Sequence, residues 1–258
     1  MRLMGAKHYQ AAAADQEGVL RSGAPLKIIH EPDNEHDPDA YQVLCGPYKL
    51  GHIPGYAAQV LRAAGVSGPI HATVSGLTKK QSYLEIDIAT ETGVESSPPQ
   101  CALGSPQNAV SGVYAIVNAY NLQAYVGRAT DMEERRTQHL KALQSRTHFS
   151  PLLQSEWQEA PQRFAFVVIK EVPTHALVKE EEYRIFIYGT NSRLCGYNQG
   201  SGFDPNSVRK PPQPPKRAAA GERPRKAPLP RRPEPPQTNP VFPKPAKRPA
   251  VKRQQPSG

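Results

Sequence analysis

The sequence predicts an α+β chain: a small β-rich, barrel-like domain, then a β-β-α-β-α domain, then a disordered tail rich in Pro, Lys and Arg. Three observations predict it. Apolar and polar residues alternate at period two through much of residues 26–88, with one helical interruption. Strand-like and helix-like periods succeed each other over residues 112–188. Beyond residue 204, prolines and basic residues replace large apolar side chains.

In the first domain, residues 1–91, strands are expected at 26–30 (LKIIH), 40–44 (AYQVL), 48–54 (YKLGHIP), 70–74 and 83–88 (YLEIDI). Ala57, Val60, Leu61 and Ala64 recur at helical spacing, which predicts a helix over 56–64. The cluster EPDNEHDPD reads as a turn between strands. Its alternating Asp33, Glu35, Asp37 and Asp39 suggest a calcium loop, but Pro38 stands where that loop needs Gly and Leu44 where it needs Glu. Residues 92–110 are polar, without an apolar period, and read as a linker. Each half of the body is large enough for a small core of its own.

In the second domain, residues 111–204, strands are expected at 112–117 (GVYAIV), 121–127 (NLQAYVG) and 163–169 (RFAFVVI). A helix over 131–143 starts at a capping Thr130 or Asp131 and carries Met132, Leu140 and Leu143 on one face. A second helix over 176–188 stops near Gly189.

The chain carries a formal charge of +9, spread unevenly. Residues 205–258 hold 14 Lys and Arg against 2 Asp and Glu, a net of +12, and 16 of the 28 prolines. The body is left at −3. The tail is expected to contact nucleic-acid phosphates without reading sequence. Three widely spaced cysteines, Cys45, Cys101 and Cys195, exclude a disulfide framework or a Cys-rich zinc site. The most apolar run, FAFVVI, is far too short for a membrane helix, so no membrane partner and a cytoplasmic location are expected.

Several polar residues point to hydrolysis. Tyr114 and Tyr125 lie in neighbouring strands, each near a glycine, and Arg135 and His139 share a helix face. Glu180, Glu181 and Glu182 sit in an otherwise apolar helix. Phosphodiester cleavage needs a group to activate water, a cation for the phosphate and a carboxylate for a metal ion.

Gly112-Val113-Tyr114 and Tyr125-Val126-Gly127 resemble the paired signature of GIY-YIG nucleases, with Val113 and Val126 in place of isoleucine. The likeness runs on through RATDMEERRTQH, HFSPLLQSEWQ, a glutamate helix and Gly196-Tyr197-Asn198. It implies that Tyr114 helps activate water and that Arg135 stabilises the phosphate. It also implies that Glu182, or alternatively Glu181, binds Mg²⁺ (or Mn²⁺), with Tyr125, His139 and Asn198 in support.

The first domain, through EPDNEHDPDAYQVL and KLGHIPGYAAQVL, is similar to HIRAN domains, which are β-barrel-like modules that bind DNA. The resemblance places Lys7, His8 and Tyr9 on a first strand and Asn34, His36 and Asp37 in the turn, all as DNA contacts. His8 and His36 stand where some members have aromatics, and histidine stacks on bases more weakly.

Together these features predict a metal-dependent DNA endonuclease with a DNA-binding module, acting in repair or processing. The rivals are a DNA-binding adaptor without catalysis and a restriction or mobile-element endonuclease. The latter is disfavoured because no helix-turn-helix or zinc finger is recognisable.

Overall fold

The computed structural model describes residues 1–96 and 110–198. Cys101, most of the expected linker and the whole basic tail lie outside the described residues.

The first domain is built on a five-stranded antiparallel sheet. Its strands are β1 (Pro25–His30), β2 (Tyr41–Cys45), β3 (Tyr48–His52), β4 (Ile70–Lys79) and β5 (Leu84–Thr90), in the order β3-β2-β1-β4-β5. Residues 1–4 run between the two edges. Leu3 N–H donates to the Ile86 carbonyl at 2.8 Å, and Met4 and His52 exchange backbone bonds at 2.8 and 3.0 Å. That segment satisfies both edges and completes the barrel-like curl, removing the unpaired rows an open edge would present. Gly51 permits the approach, because a Cβ there would lie 2.3 Å from the Met4 carbonyl oxygen.

The expected first strand through residues 7–9 does not form. Gly5 adopts φ 75°, and residues Ala6–His8 wind into a short 3₁₀ turn. A helix the strand pattern did not predict, α1 (Ala11–Gln16), follows from the AAAADQ run, since alanine loses least on becoming helical.

The second domain has a three-stranded antiparallel sheet of β6 (Gly112–Asn118), β7 (Ala124–Ala129) and β8 (Phe164–Glu171), with β6 in the centre. Its helices are α3 (Met132–Gln144), α4 (Pro151–Glu159) and α5 (Leu177–Tyr188), so the order is β-β-α-α-β-α. The order read from periodicity omitted α4, which only the resemblance of HFSPLLQSEWQ to the family's middle helix implied; Ser150 caps it and Pro151 opens it. The strand expected from residue 121 starts at 124, because Asn118 and Asn121 side chains accept backbone N–H groups and hold a turn there.

The two halves do not keep separate cores. Helix α2 (Gly55–Ala63) buries Tyr56, Ala57, Val60 and Leu61. It packs against β6 and β8 of the second sheet as well as its own domain. Tyr56 meets Tyr188 of α5 edge-on, with ring centroids 5.1 Å apart. Val113, Ala115 and Val117 of β6 face this shared core. Tyr114 and Ile116, one residue out of phase, face a second core with Met132, Leu143 and Trp157. β6 is therefore buried on both faces, and each fully buried Val or Ile contributes about 1.5–3 kcal/mol.

Candidate active site

The second face of β6 and β7 carries the site. Asp131 caps α3 by accepting from the N–H groups of Glu133 and Glu134, each at 3.0 Å. Met132, Arg136, His139 and Leu143 then form the buried stripe of α3, and Arg135 lies at its edge. That phase points His139 and Arg135 at Tyr114. The Tyr114 ring stacks on Phe166 of β8 at 4.6 Å and 17°. Gly127 makes room for it, since a Cβ at that position would lie 2.4 Å from the Tyr114 hydroxyl.

A chain of hydrogen bonds sets the tautomers. The Ser150 N–H donates to His148 Nδ1 at 3.1 Å. A neutral His148 therefore carries its proton on Nε2, and donates it to His139 Nδ1 at 2.8 Å. His139 in turn is protonated on Nε2 and donates to the Tyr114 hydroxyl oxygen at 2.6 Å. Arg135 Nε donates to the same oxygen at 3.3 Å. Burial, then Arg135 and His148, push the His139 pKa down to about 3, so it is neutral at ordinary pH. His148 is lowered as well, chiefly by burial.

Tyr114 thus accepts from two N–H donors, an arrangement that favours a phenolate. Burial, and then neighbouring Tyr125, nonetheless hold its pKa well above the ordinary tyrosine value. Tyr125 is pushed up to about 12, by burial first and then by Glu181. Neither tyrosine is a ready base at neutral pH without added positive charge. Beside them opens a cleft of 290 Å³ lined by Arg128, Thr130, Asp131, Glu134, Arg135 and Gln138.

The glutamates divide by helix face. Leu177, Ile185 and Tyr188 are the buried stripe of α5, and Glu181 lies four residues from both Leu177 and Ile185. It pairs with Arg128 of β7 and raises both tyrosines electrostatically. Its own pKa is raised, burial outweighing the pull of Arg128. Glu182 shares its stripe with exposed Val178 and Phe186. Glu180 is held by Lys170 and Arg184. Of the two carboxylates expected from sequence, it is Glu181, the alternative, that pairs with Arg128 and sits beside the two tyrosines. Among the described residues no group of three or more His, Cys, Asp and Glu could cage a metal ion.

Asn198 is not aimed into the cleft. It is buried, accepts from Val126 N–H at 2.8 Å and donates to the Val126 carbonyl at 2.7 Å. With the parallel bridge from Gly196 to Ala124, it covers the free edge of β7 and fixes the strand that carries Tyr125. His148 and Arg128 were not anticipated from sequence. The only signal for His148 was its place two residues before the Ser-Pro start of α4.

The first domain has its own clefts. Tyr9, Asn34, His36, Asp37 and His52 line one of 200 Å³. Under it, Glu31 takes hydrogen bonds from Asn34 (2.9 Å), His52 (2.7 Å) and Lys49 (2.5 Å). Burial alone would raise Glu31, but these bonds bring it down to about 2. Asn34 and Asp37 also build the turn, accepting from the N–H groups of His36, Asp37 and Asp39. Tyr9 and Lys7 line a neighbouring cleft of 220 Å³ with Lys79, Lys80 and Tyr83, none of which the sequence singled out. His8 lines neither cleft.

The second domain thus has the make-up of a hydrolytic catalytic domain: a buried tyrosine under two donors, an arginine cleft and one inward carboxylate. Comparison with known proteins names both parts. Residues 1–86 match the HIRAN domain and residues 110–193 the GIY-YIG catalytic domain. The chain therefore carries a HIRAN domain followed by a GIY-YIG catalytic domain. A stretch of 88 residues is 34% identical to Intron-associated endonuclease 1 of Enterobacteria phage T4, covering 34% of this chain and 36% of that protein. Two structures of the catalytic domain of intron endonuclease I-TevI are 30% and 31% identical. Each covers 34% of this chain, and 92% and 95% of their own, with TM-scores of 0.33 and 0.31.

Proposed function

We propose that the chain is a metal-dependent DNA endonuclease that hydrolyses phosphodiester bonds, directed to its substrate by the HIRAN domain. The observation that carries this reading is the convergence on one hydroxyl, Tyr114 Oη, of His139 and Arg135 donors beside a cleft lined by Arg128, which pairs with Glu181.

In that reading Arg135 binds a non-bridging phosphate oxygen and stabilises the charge that builds there. Tyr114 orients and accepts a proton from the attacking water, its oxygen held by His139 and its pKa lowered once cationic charge enters the cleft. One carboxylate suits a divalent ion such as Mg²⁺, which keeps most of its waters and takes the rest of its ligands from substrate phosphate. Glu181 would hold it after release from Arg128, and the ion would supply charge stabilisation for the phosphate.

The relative from phage T4 matches over 88 residues, about a third of either chain. Substrate choice here falls to the HIRAN domain, and the basic tail supplies retention on DNA without specificity. This favours a role in repair or processing of DNA structures over sequence-directed cutting.

The test is cleavage of plasmid DNA with Mg²⁺ or Mn²⁺ against EDTA, followed by a panel of duplex, forked, flapped and single-stranded substrates. Metal-dependent cleavage that Arg135→Ala abolishes without loss of DNA binding supports the reading. Binding without any cleavage would support the non-catalytic adaptor instead.

A further inference from the structure

Against Tyr125 and the histidine pair stands an aromatic ring to which the roles above give no work. Phe149 is 59% exposed, more than any other large apolar residue among those described. It is nonetheless fixed. Its face stacks on His148 at 4.5 Å and 27°, and its edge meets Tyr125 at 5.4 Å and 72°. The backbone is anchored on both sides. Ser150 follows as the α4 cap, its hydroxyl donating to the Tyr197 carbonyl at 2.7 Å. Before it, Thr147 N–H closes onto the Ala142 carbonyl at 2.8 Å, and Arg146 adopts φ 61°. That left-handed conformation costs a non-glycine residue about 1 kcal/mol, a cost the loop sustains while holding Phe149 outward.

We propose that Phe149 stacks on a nucleobase next to the scissile phosphate and so positions the strand in the cleft; this rests on the reading of the second domain as a DNA-cleaving unit. The neighbours on the loop, Ser145, Arg146 and Thr147, are exposed and polar or cationic, unlike the apolar surround a protein partner would require. A rigid ring set among polar and basic groups matches the stacking platforms of nucleic-acid grooves, where every base offers a π-face. Two ring contacts, Phe149 to Tyr125 and Tyr125 to Tyr114, join the platform to the hydroxyl at the reaction centre.

The experiment uses the full chain. The cut site is mapped with the unaltered protein, and 2-aminopurine is placed at each nucleotide flanking it. In the Glu181→Gln background, binding should quench the fluorophore at one flanking position, and adding Phe149→Leu should abolish that quench. In the otherwise unaltered chain, Phe149→Leu should raise KM about tenfold with little change in kcat, and Phe149→Trp should restore it, as base–aromatic stacking requires. Leucine still covers His148, so a ring that serves only as a shield would leave KM and the quench unchanged, which overturns the proposal. A fall in kcat at constant KM overturns it too. No cleavage by the unaltered chain overturns the nuclease reading itself, and the proposal with it.

Discussion

His148 donates from Nε2 to Nδ1 of His139 across 2.8 Å, with both rings buried. The proton position is set from the far end, where a backbone N–H of Ser150 leaves His148 Nδ1 no role but acceptor. A main-chain amide thereby decides which nitrogen of His139 faces Tyr114. The relay presents a donor to the tyrosine oxygen, which leaves Tyr114 free to accept a proton only when the cleft gains positive charge.

Tyr114→Phe keeps the ring on Phe166 and removes only the oxygen. Cleavage should fall by about 10²- to 10⁴-fold, the range for losing a positioned general base. DNA affinity in a binding assay should stay close to that of the unaltered chain, because the hydroxyl is buried behind the cleft.

Glu181→Gln and Glu182→Gln separate the two helix faces. The first should lower Mg²⁺-supported cleavage by about 10²-fold or more, since the carboxylate that would hold the divalent ion is lost. The second should leave activity within about twofold, as expected of a surface substitution. Equal loss from both would show that α5 does not present Glu181 alone.

Asn198→Ala acts on stability. It strands the N–H and carbonyl of Val126 in a buried place, at a cost of about 1–3 kcal/mol for each unpaired group. A urea titration should show a lowered midpoint, with residual activity regained at low temperature. Loss of activity at unchanged stability would instead assign Asn198 to the chemistry.

His139 ties stability to pH. Its folded pKa is near 3, burial being the main cause, while an unfolded histidine protonates near 6.5. Below that pH the unfolded chain takes up a proton the folded chain refuses, so stability is lost as pH falls from about 6.5 towards 3, by up to about 1.4 kcal/mol per unit. Above pH 7 the group contributes no slope. Urea midpoints at pH 7, 6 and 5 should fall in that order, and His139→Gln should flatten the trend.

The tail prediction concerns affinity alone. Deleting residues 205–258 removes a net +12 and should reduce the salt slope of DNA binding while leaving the cleavage rate at saturating DNA unaltered. An unchanged slope would show that the tail does not meet phosphate.

Much of this molecule is written in local pattern. Period-two runs placed Tyr114 on a strand, and the four-residue step from Arg135 to His139 put both on one helix face. Neighbours within a turn or a pleat decide such features, so sequence alone determined them. Glu181 was also legible, by its spacing from Leu177 and Ile185, although counting from the family motif favoured Glu182.

What tertiary structure alone decided joins residues that no period connects. The 3₁₀ turn at Lys7 and His8 follows from how residues 1–4 bridge the two sheet edges. The fusion of both halves through α2 depends on Tyr56 reaching Tyr188. The tautomer of His139 depends on a Ser150 amide brought near by the packing of α4 on α3. Each is fixed by the burial of surfaces far apart in the chain, and the free energy of that burial belongs to the assembled core rather than to any segment of it.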